Sequence, residues 1–295
     1  MKIGIDLGGT KTEGILLDKN GIELKRKRIK TETNYIGTIN GISLIVNYFE
    51  KEFGRANSVG VGMPGAVSID SSLIKNANSI WLNGKPLKKD LEKELNRSVN
   101  LQNDANCFTL SEAVDGAGKN REVVFGVIIG TGVGGGIAVN QKILTGINSI
   151  AGEWGHIPLP NRSPDEIKYV KKCYCKREGC IETYVSGPGF ASCYNLLHNT
   201  ELNSHEIIEG YPKEVNSKIA LNQYIDQLAR GLSMVVNILD PDVIVLGGGM
   251  SNIDYIYETI NDQLKKYVFT DNCHTKIIKN IHGDSSGVRG AAWLS

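Results

Sequence analysis

The chain has 295 residues and a formal net charge of +1, because 33 Lys and Arg residues are balanced by 32 Asp and Glu residues. This balance argues against a nucleic-acid binder, and 41% hydrophobic with 22% charged residues excludes a disordered or collagen-like chain. The length suggests about two domains of ordinary size. Two excesses need an explanation: 34 glycines, many in short clusters, and six cysteines, three of them between residues 173 and 180.

Strand and helix patterns begin at the first residues. Residues 1–118 predict strands at 2–7, 13–18, 22–30, 58–63 and 98–102, and helices at 35–53, 86–96 and 104–114. Met1 leads directly into a strand pattern, without the apolar core of a targeting segment. We therefore expect a cytoplasmic protein with reduced cysteines and no membrane partner.

The pattern restarts after residue 118. It predicts strands at 122–129, 137–142, 242–246 and 276–279, a glycine turn at 130–136, irregular chain at 143–181, and helices at 217–239, 253–266 and 288–294. The uncharged stretch 123–140 contains six glycines and predicts two strands instead of a membrane helix. Because one order of elements occurs twice, we predict two α/β domains flanking a cleft. They are residues 1–118 and 119–286, with a helix at 287–295 joining the first.

The glycine clusters suggest phosphate binding, because backbone N–H groups in tight turns hold anions and glycine leaves room for them. The turn from Gly8 to Thr12 adds an ammonium and hydroxyl groups, and Asp6 before it could hold Mg²⁺ through water. A second turn lies at 130–136. Residues 247–249 separate a strand from a helix, a common place for a nucleotide base or ribose. Tight hairpin turns would explain any one of these segments alone.

Two competing nucleotide motifs fit less well. Residues 4–12 nearly form a P-loop, but Thr10 stands at the lysine position and a strand follows where a helix should. Residues 60–65 and 130–135 both satisfy the dinucleotide pattern G-x-G-x-x-G, yet neither opens a helix. A Rossmann dehydrogenase is therefore a minor alternative.

The clustered cysteines suggest a metal. Cys173, Cys175 and Cys180 supply three thiolates in one loop, and His156 lies 17 residues upstream. Three cysteines and one histidine form a known closed tetrahedral zinc set, and a metal would explain how a loop with little hydrophobic periodicity becomes ordered. The alternative is three free cysteines. The other cysteines, at 107, 193 and 273, are isolated and predict small buried residues.

Several polar residues are candidates for chemistry. Asp104 lies where a predicted strand ends and a helix starts, beside Asn103. An N-cap would explain the aspartate alone but not the neighbouring asparagines. Glu153 precedes His156 by three residues and Glu182 follows the last clustered cysteine by two, so a bound metal would anchor both loops. Taken singly, each acid is more typical of a solvated surface.

Five motifs, spread over the chain from Lys2 to Trp293, belong together. They are Asp6-Leu-Gly-Gly-Thr-Lys-Thr12, Asn103-Asp-Ala-Asn106, Ile129-Gly-Thr-Gly-Val-Gly-Gly-Gly136, Gly152-Glu-Trp-Gly-His156 and Cys173-x-Cys-x₄-Cys-x-Glu182. Jointly they resemble the ROK family of sugar kinases. The resemblance implies an actin-like, ribonuclease-H-like ATPase fold, ATP with Mg²⁺, a structural Zn²⁺ ion and a homodimer.

The resemblance also implies roles for individual residues. Asp104 would bind the sugar and act as the catalytic base, and His156 would serve zinc through one ring nitrogen and the sugar through the other. The further sugar contacts it implies are Gly65, Asn78, Asn103, Glu153 and Glu182. The nucleotide contacts it implies are Asp6, Gly8, Gly9, Thr10, Lys11, Thr12, Thr131, Gly132, Gly134, Gly135 and Gly248.

Within the family, two segments resemble the bacterial fructokinase branch. They are the loop at 75–84, with its Asn-x-Asn-x-x-Trp pattern, and the end of the chain at 282–293. We therefore expect transfer of the γ-phosphoryl group of ATP to the 6-hydroxyl of fructose, with mannose or glucose as weaker acceptors. A kinase for N-acetylglucosamine, N-acetylmannosamine or glucose is the alternative. The loop at 75–84 could also be a surface connection without substrate contact.

An interpretation of a different class is a sugar-responsive regulator. Repressors that resemble this family carry an N-terminal helix-turn-helix, whereas here the ATPase motif begins at residue 4, and the near-zero charge also disfavours DNA. A non-catalytic sugar sensor is disfavoured because the phosphate turns and Asp104 are all present.

Overall fold

The computed structural model describes residues 1–169 and 171–294, apart from the side chain of Asp284. The strands are β1 (Lys2–Leu7), β2 (Lys11–Leu17), β3 (Glu23–Lys30), β4 (Ser58–Met63), β5 (Ala66–Val67), β6 (Ile74–Lys75), β7 (Asn100–Asn103), β8 (Val123–Ile129), β9 (Val133–Val139), β10 (Lys142–Ile143), β11 (Val243–Gly247) and β12 (Lys276–Lys279). No helix in the described part of the chain is both long enough and apolar enough to cross a membrane.

The α-helices vary from one turn to seven turns. They are α1 (Tyr35–Phe53), α2 (Leu87–Leu95), α3 (Asp104–Val114), α4 (Pro164–Lys168), α5 (Glu182–Val185), α6 (Gly187–His198), α7 (Ser204–Glu209), α8 (Val215–Leu239), α9 (Asp254–Leu264) and α10 (Ser286–Trp293). Short 3₁₀ turns occur at Ile80–Leu82, Trp154–His156, Gly249–Asn252 and Gly283–Ser285.

Two five-stranded mixed sheets repeat the same plan. The first has the order β3-β2-β1-β4-β7, with β1, β4 and β7 parallel and the β1-β2-β3 meander antiparallel. The second has the order β10-β9-β8-β11-β12, with β8, β11 and β12 parallel and β9 antiparallel to β10. This confirms the predicted α/β class. β5 and β6 form a small separate ribbon.

The described chain groups into two compact units. The first contains Met1–Asn120, Gly136–Ala151 and the residues from Ile281 onward, and the second contains Arg121–Gly135 and Gly152–Asn280. The chain passes between them within β9. Of the helix predicted at 287–295, α10 belongs to the first unit, and residue 295 lies outside the described part of the chain.

Helix α1 shows how the sequence produces one of these elements. The side chain of Asn34 caps its first turn by accepting a hydrogen bond from the backbone N–H of Gly37, and Gly54 ends it with φ of 79°. Its buried positions, spaced three and four apart, are Ile42, Ile45, Val46 and Phe49. They join β1 and β4 in the core of the first unit.

Glycines allow α10 to pack directly on the first sheet. A methyl group added at Gly4 would lie 2.1 Å from the carbonyl oxygen of Val288, and one at Gly60 would lie 2.0 Å from that of Ala291. On another side of the helix, a methyl group at Gly290 would lie 1.6 Å from the carbonyl oxygen of Cys107 in α3. Not every clustered glycine therefore belongs to a ligand turn, because Gly4 and Gly60 permit helix packing.

An ionic cluster ties α10 to the end of α3. Asp115 forms an ion pair with Arg289, lies 3.3 Å from His282 Nε2 and accepts a hydrogen bond of 3.1 Å from the indole of Trp293. Burial would raise the pKa of Asp115, but hydrogen bonds from His282 and Arg289 outweigh it and lower the pKa. The hydrogen bond to Asp115 in turn raises the pKa of His282.

The predicted glycine turn at 130–136 is shorter than expected, because β9 already begins at Val133. Two of its glycines lie against other atoms: a methyl group at Gly135 would lie 2.7 Å from the indole of Trp154, and one at Gly136 would lie 2.5 Å from the hydroxyl of Thr109. The stretch 143–181, predicted irregular, contains the short helix α4. Close packing of these glycines explains why the turn is shorter than predicted. A run of glycines in the sequence does not reveal such packing.

Candidate active site

Asp104 lies at the first position of α3, and Asn103 caps that helix. The side-chain oxygen of Asn103 accepts hydrogen bonds from the backbone N–H groups of Ala105 and Asn106, at 2.9 Å and 3.4 Å. Asp104 is exposed. Since Asn103 performs the capping, the alternative that Asp104 is merely the N-cap is wrong. The carboxylate of Asp104 is held at a helix N-terminus, where the helix dipole favours negative charge.

Asn103 also reaches the loop that follows β4. Its side-chain amide donates a hydrogen bond of 3.0 Å to the carbonyl oxygen of Gly65. Gly65 has φ of 80°, and a methyl group there would lie 2.4 Å from the carbonyl oxygen of Lys75. The structure therefore brings together two of the predicted sugar residues, Asn103 and Gly65.

The loop at 76–84 is held by the residues that suggested the fructokinase branch. The indole of Trp81 donates a hydrogen bond of 3.0 Å to Thr38 in α1, and the side chain of Asn83 makes two hydrogen bonds of 2.9 Å to the backbone of Ala77. Asn78 is exposed. Trp81 and Asn83 thus stabilise the loop, so their presence carries little information about a sugar.

Asp6, at the end of β1, has a perturbed carboxyl group. Burial, with the nearby charges of Asp104 and Glu13, raises the pKa of Asp6 to about 7, although Arg28 acts in the opposite direction. The predicted magnesium residue and the predicted base therefore share one electrostatic environment. Two neighbouring carboxyl groups of this kind fit a divalent cation, because oxygen ligands with negative charge are those that Mg²⁺ prefers.

The turn between β1 and β2 is tied to the end of β3. The backbone N–H of Gly8 donates to the carbonyl oxygen of Lys11 at 3.1 Å, and the hydroxyl of Thr31 donates to the carbonyl oxygen of Gly8 at 2.8 Å. Gly9, Thr10 and Lys11 are exposed at the turn. Thr12 is 3% exposed and shares a hydrogen bond of 2.8 Å with Thr31. This predicted nucleotide residue is therefore buried and stabilises the turn.

Glu13 was not predicted from the sequence as a site residue. It stands opposite Asp6 on β1 and opposite Arg28 on β3, and its buried carboxylate forms ion pairs with Arg26 and Arg28. The three-strand row of Asp6, Glu13 and Arg28 can be derived from the register of the hairpins, once the strand bounds are known.

In the second unit, the predicted nucleotide glycines divide into two groups. Gly130 has no protein atom within 4 Å of a methyl group placed on it, and Thr131 beside it is exposed. By contrast, a methyl group at Gly132 would lie 2.9 Å from the carboxylate of Glu182, and one at Gly248 would lie 2.5 Å from the carbonyl oxygen of Ile129. Gly134, in β9, is half-buried. Open space therefore exists beside Gly130, although its N–H donates to the carbonyl oxygen of Gly132 and its carbonyl accepts from the N–H of Gly187.

The four predicted metal ligands come together. The ligand atoms of His156, Cys173, Cys175 and Cys180 all lie within 4.8 Å of one another. A bridge between Pro158 and Cys180 and a hydrogen bond from the N–H of Ile181 to the carbonyl oxygen of Ile157 hold the two segments side by side. His156 therefore becomes a neighbour of cysteines that follow it by 17 to 24 residues in the chain.

The geometry of this cluster fits zinc. Zinc–sulfur bonds of about 2.3 Å in a tetrahedron place two sulfur ligands about 3.8 Å apart. The Sγ atoms of Cys175 and Cys180 are 3.6 Å apart, and Cys173 Sγ lies 3.5 Å from His156 Nδ1. Hydrogen bonding from the backbone N–H of Arg177 lowers the pKa of the Cys175 thiol to about 6, whereas burial raises the pKa of the Cys173 and Cys180 thiols.

Glu153 and Glu182, two predicted sugar residues of this unit, lie near His156. So does Tyr174, which the sequence interpretation missed. Glu182 accepts a hydrogen bond of 3.0 Å from the backbone N–H of Val133, which orients it, and Glu153 is exposed. The Nε2 atom of His156, expected to face the sugar, lies 2.9 Å from the hydroxyl of Tyr174. The position of Tyr174 between two ligand cysteines could have suggested that it would approach the histidine.

A cavity of about 80 Å³ lies elsewhere in the second unit. Phe190 and Tyr194 from α6 and Gln227 from α8 line it, together with Glu166. Glu166 forms a buried ion pair with Arg230 and accepts a hydrogen bond of 2.9 Å from Gln227, so its charge is already compensated. This cavity contains none of the predicted site residues.

A model of the ROK family matches residues 2–295. The chain belongs to the ROK family. An N-acetyl-D-glucosamine kinase of Vibrio parahaemolyticus is 38% identical over 299 residues, covering 100% of this chain and 99% of that relative. One from Pectobacterium atrosepticum is 39% identical over 300 residues, covering 100% of this chain and 98% of that relative.

Among solved ROK structures, a hexokinase from Thermus thermophilus superimposes with a TM-score of 0.87 at 26% identity, covering 99% of this chain and 97% of the other. The actin-like ATPase fold predicted for this ROK protein is thereby confirmed. The metal cluster is consistent with the zinc site of the family. Because the Vibrio and Pectobacterium relatives are N-acetylglucosamine kinases, they support the predicted alternative substrate better than the predicted fructokinase branch.

Proposed function

We propose that this ROK protein transfers the γ-phosphoryl group of ATP to N-acetyl-D-glucosamine. The observation that carries the proposal is full-length similarity, at 38–39% identity, to N-acetylglucosamine kinases. The preference for fructose rested on the loop at 75–84 and on the end of the chain at 282–293. Trp81 and Asn83 hold the loop in place, and in the second segment His282, Arg289 and Trp293 contact Asp115. Without that argument, the alternative acceptor is the better supported one.

In the proposed mechanism, Asp104 accepts the proton of the primary sugar hydroxyl as its oxygen attacks the γ-phosphorus. The exposed carboxylate at the start of α3 can reach a bound ligand, and the cap of Asn103 fixes the turn that carries it. Asn103 and Gly65, joined by a hydrogen bond, line the acceptor side in this proposal. Positioning and charge stabilisation then supply most of the rate, as in other phosphoryl transfers.

The phosphate groups are assigned to the exposed turn at Gly9–Lys11 and to the exposed Thr131, next to the open space beside Gly130. Asp6 would hold the magnesium ion, which supplies neutralisation of the phosphate charge when bound. The raised pKa of Asp6 supports this assignment, because a carboxyl group crowded by Asp104 and Glu13 is stabilised as an anion by a cation. Gly248 has φ of 82° at the end of β11, and its backbone is assigned to the base or ribose.

On the zinc side, Glu153, His156 and Glu182 are assigned to the sugar hydroxyl groups. Zinc would act structurally, by holding His156 and the loop that leads to Glu182 in place. The expected homodimer and the cytoplasmic location stay predictions, and light scattering of the purified protein tests the first.

The test is an ATP-coupled assay with N-acetylglucosamine, N-acetylmannosamine, glucose, mannose and fructose as acceptors. We expect the highest kcat/KM with N-acetylglucosamine. The Asp104→Asn variant, purified in parallel, controls for contaminating kinases. A higher kcat/KM with fructose would support the fructokinase prediction instead. Equal rates with and without each sugar would refute the kinase proposal.

A further inference from the structure

The hydroxyl of Tyr174 forms a hydrogen bond with the ring nitrogen of His156 that does not face the metal ligands. His156 Nδ1 lies 3.5 Å from Cys173 Sγ, whereas Nε2 lies 2.9 Å from the Tyr174 hydroxyl. The two rings meet edge to face, with centroids 5.1 Å apart. When Nδ1 binds a metal, Nε2 carries the proton, so His156 donates this hydrogen bond and the tyrosine oxygen accepts it.

The nitrogen that Tyr174 contacts is the one that the proposed function assigns to a sugar hydroxyl. A sugar hydroxyl in this place would meet the same donor, the N–H at Nε2 of His156. The two hydroxyl groups therefore cannot both use this nitrogen at one time.

We propose that the Tyr174 hydroxyl is an internal substitute for a sugar hydroxyl, holding His156 Nε2 in the sugar-free protein and leaving it when the sugar binds. The inference rests on the proposed function, since it takes His156 as a sugar contact. It makes Tyr174 a residue that sets sugar affinity by competing for a hydrogen-bond donor.

The position of Tyr174 suits a displaceable side chain. Its neighbours Cys173 and Cys175 belong to the metal cluster, so a bound zinc ion would fix its backbone on both sides. Its side chain is nevertheless 77% exposed, so rotation into solvent gives up little buried area. Such a rotation breaks one hydrogen bond and one edge-to-face ring interaction. One neutral hydrogen bond corresponds to an affinity change of about two- to tenfold.

The test compares wild type with Tyr174→Phe, which keeps the ring and removes only the hydroxyl. We expect the calorimetric Kd for N-acetylglucosamine, measured on the zinc-loaded protein without ATP, to fall by about two- to tenfold. KM should fall with it, while kcat and the zinc content stay unchanged. Sugar should also produce a near-ultraviolet tyrosine difference spectrum in wild type that Tyr174→Phe lacks.

The matched control is Tyr255→Phe, which removes another tyrosine hydroxyl of the same unit, one that donates a hydrogen bond of 3.0 Å to Asn222. It should leave Kd unchanged. An unchanged or higher Kd in Tyr174→Phe, or loss of its zinc, would overturn the inference, because the hydroxyl would then be inert, a sugar ligand or a metal support. A wild type that binds none of the sugars would instead refute the proposed function.

Discussion

The side-chain amide of Asn103 lies 3.0 Å from the carbonyl oxygen of Gly65 and donates a hydrogen bond to it. This contact joins the end of β7, where α3 begins, to the loop that follows the neighbouring parallel strand β4. Carboxyl ends of adjacent parallel strands meet at one edge of a sheet, which is where ligands of α/β proteins bind. Asn103 therefore stabilises a helix and shapes the proposed sugar site with one side chain.

Replacing Asn103 tests these two tasks separately. Asn103→Ala removes the cap of α3 and the bond to Gly65, so we expect the free energy of unfolding to fall by about 1 kcal/mol or more and sugar affinity to fall with it. Asn103→Ser restores a capping oxygen but no amide donor. It should recover most of the stability in urea unfolding without recovering the affinity. Recovery of both by serine would show that capping alone matters.

Replacing Asp104 tests the proposed base. Asp104→Asn keeps the shape of the side chain but cannot accept a proton, so we expect kcat to fall by about 10²–10⁴-fold. Sugar affinity, measured by calorimetry, should change little, because an amide still forms hydrogen bonds. Turnover near that of wild type would remove Asp104 from the base role.

Zinc binding can be tested by removing one thiolate. Cys175→Ser should lose zinc, measured by atomic emission, and should lower the melting temperature and the sugar affinity, because the metal holds His156 beside the cysteine loop. Cys193→Ala is the matched control, since Cys193 lies in α6 and is not part of the metal cluster. It should retain zinc. A fully active Cys175→Ser variant free of zinc would contradict the structural role of the metal.

The cluster of Asp115, His282 and Arg289 predicts a pH-dependent contribution to stability. Because the folded pKa of His282 is raised, its contribution is complete below its unfolded pKa, about 6.5, and disappears as the pH rises through the folded value. The lowered pKa of Asp115 has the opposite consequence, a contribution that is lost only in acid. In urea unfolding between pH 5.5 and 8.5, the advantage of wild type over His282→Gln should shrink as the pH rises. A constant difference would show that the charge of His282 is irrelevant.

Close packing of α10 predicts a strong effect at Gly290. The methyl group of Gly290→Ala would lie 1.6 Å from the carbonyl oxygen of Cys107, so α10 or α3 must shift. We expect a loss of about 1–3 kcal/mol or more in the free energy of unfolding. Gly249→Ala is the control, because a methyl group there has no atom within 4 Å and the φ of Gly249 is not positive. Equal stability of the two variants would contradict the packing argument.

Local patterns were sufficient for much of the fold. The alternation in β1, the helical spacing in α1 and the restart after residue 118 follow directly from hydrophobic periodicity, and the metal ligands follow from donor type and spacing. The short helices α4 to α7 lack such a pattern. Four to twelve residues give little periodicity, and their stability comes from tertiary packing.

Glycine clusters were harder to interpret, because one residue type serves two physical purposes. Gly130 has open space beside it, whereas Gly60 leaves space for the backbone of α10. The two glycines cannot be told apart in the sequence. Only the atoms that lie opposite each of them in the folded protein distinguish their roles. Likewise Trp81 suggested a substrate branch, although its indole is bonded to Thr38, 43 residues away in the chain.

The contact between the first sheet and α10 has a consequence for how the chain is made. Strand β2 and α10 are separated by about 270 residues, yet Ile15 and Leu17 of β2 are buried together with Val288 and Ala292 of the helix. The face of β2 that carries Ile15 and Leu17 therefore stays uncovered until the ribosome has synthesised α10. At typical rates of about 5–20 residues per second, that exposure lasts for tens of seconds, long enough for a chaperone to bind.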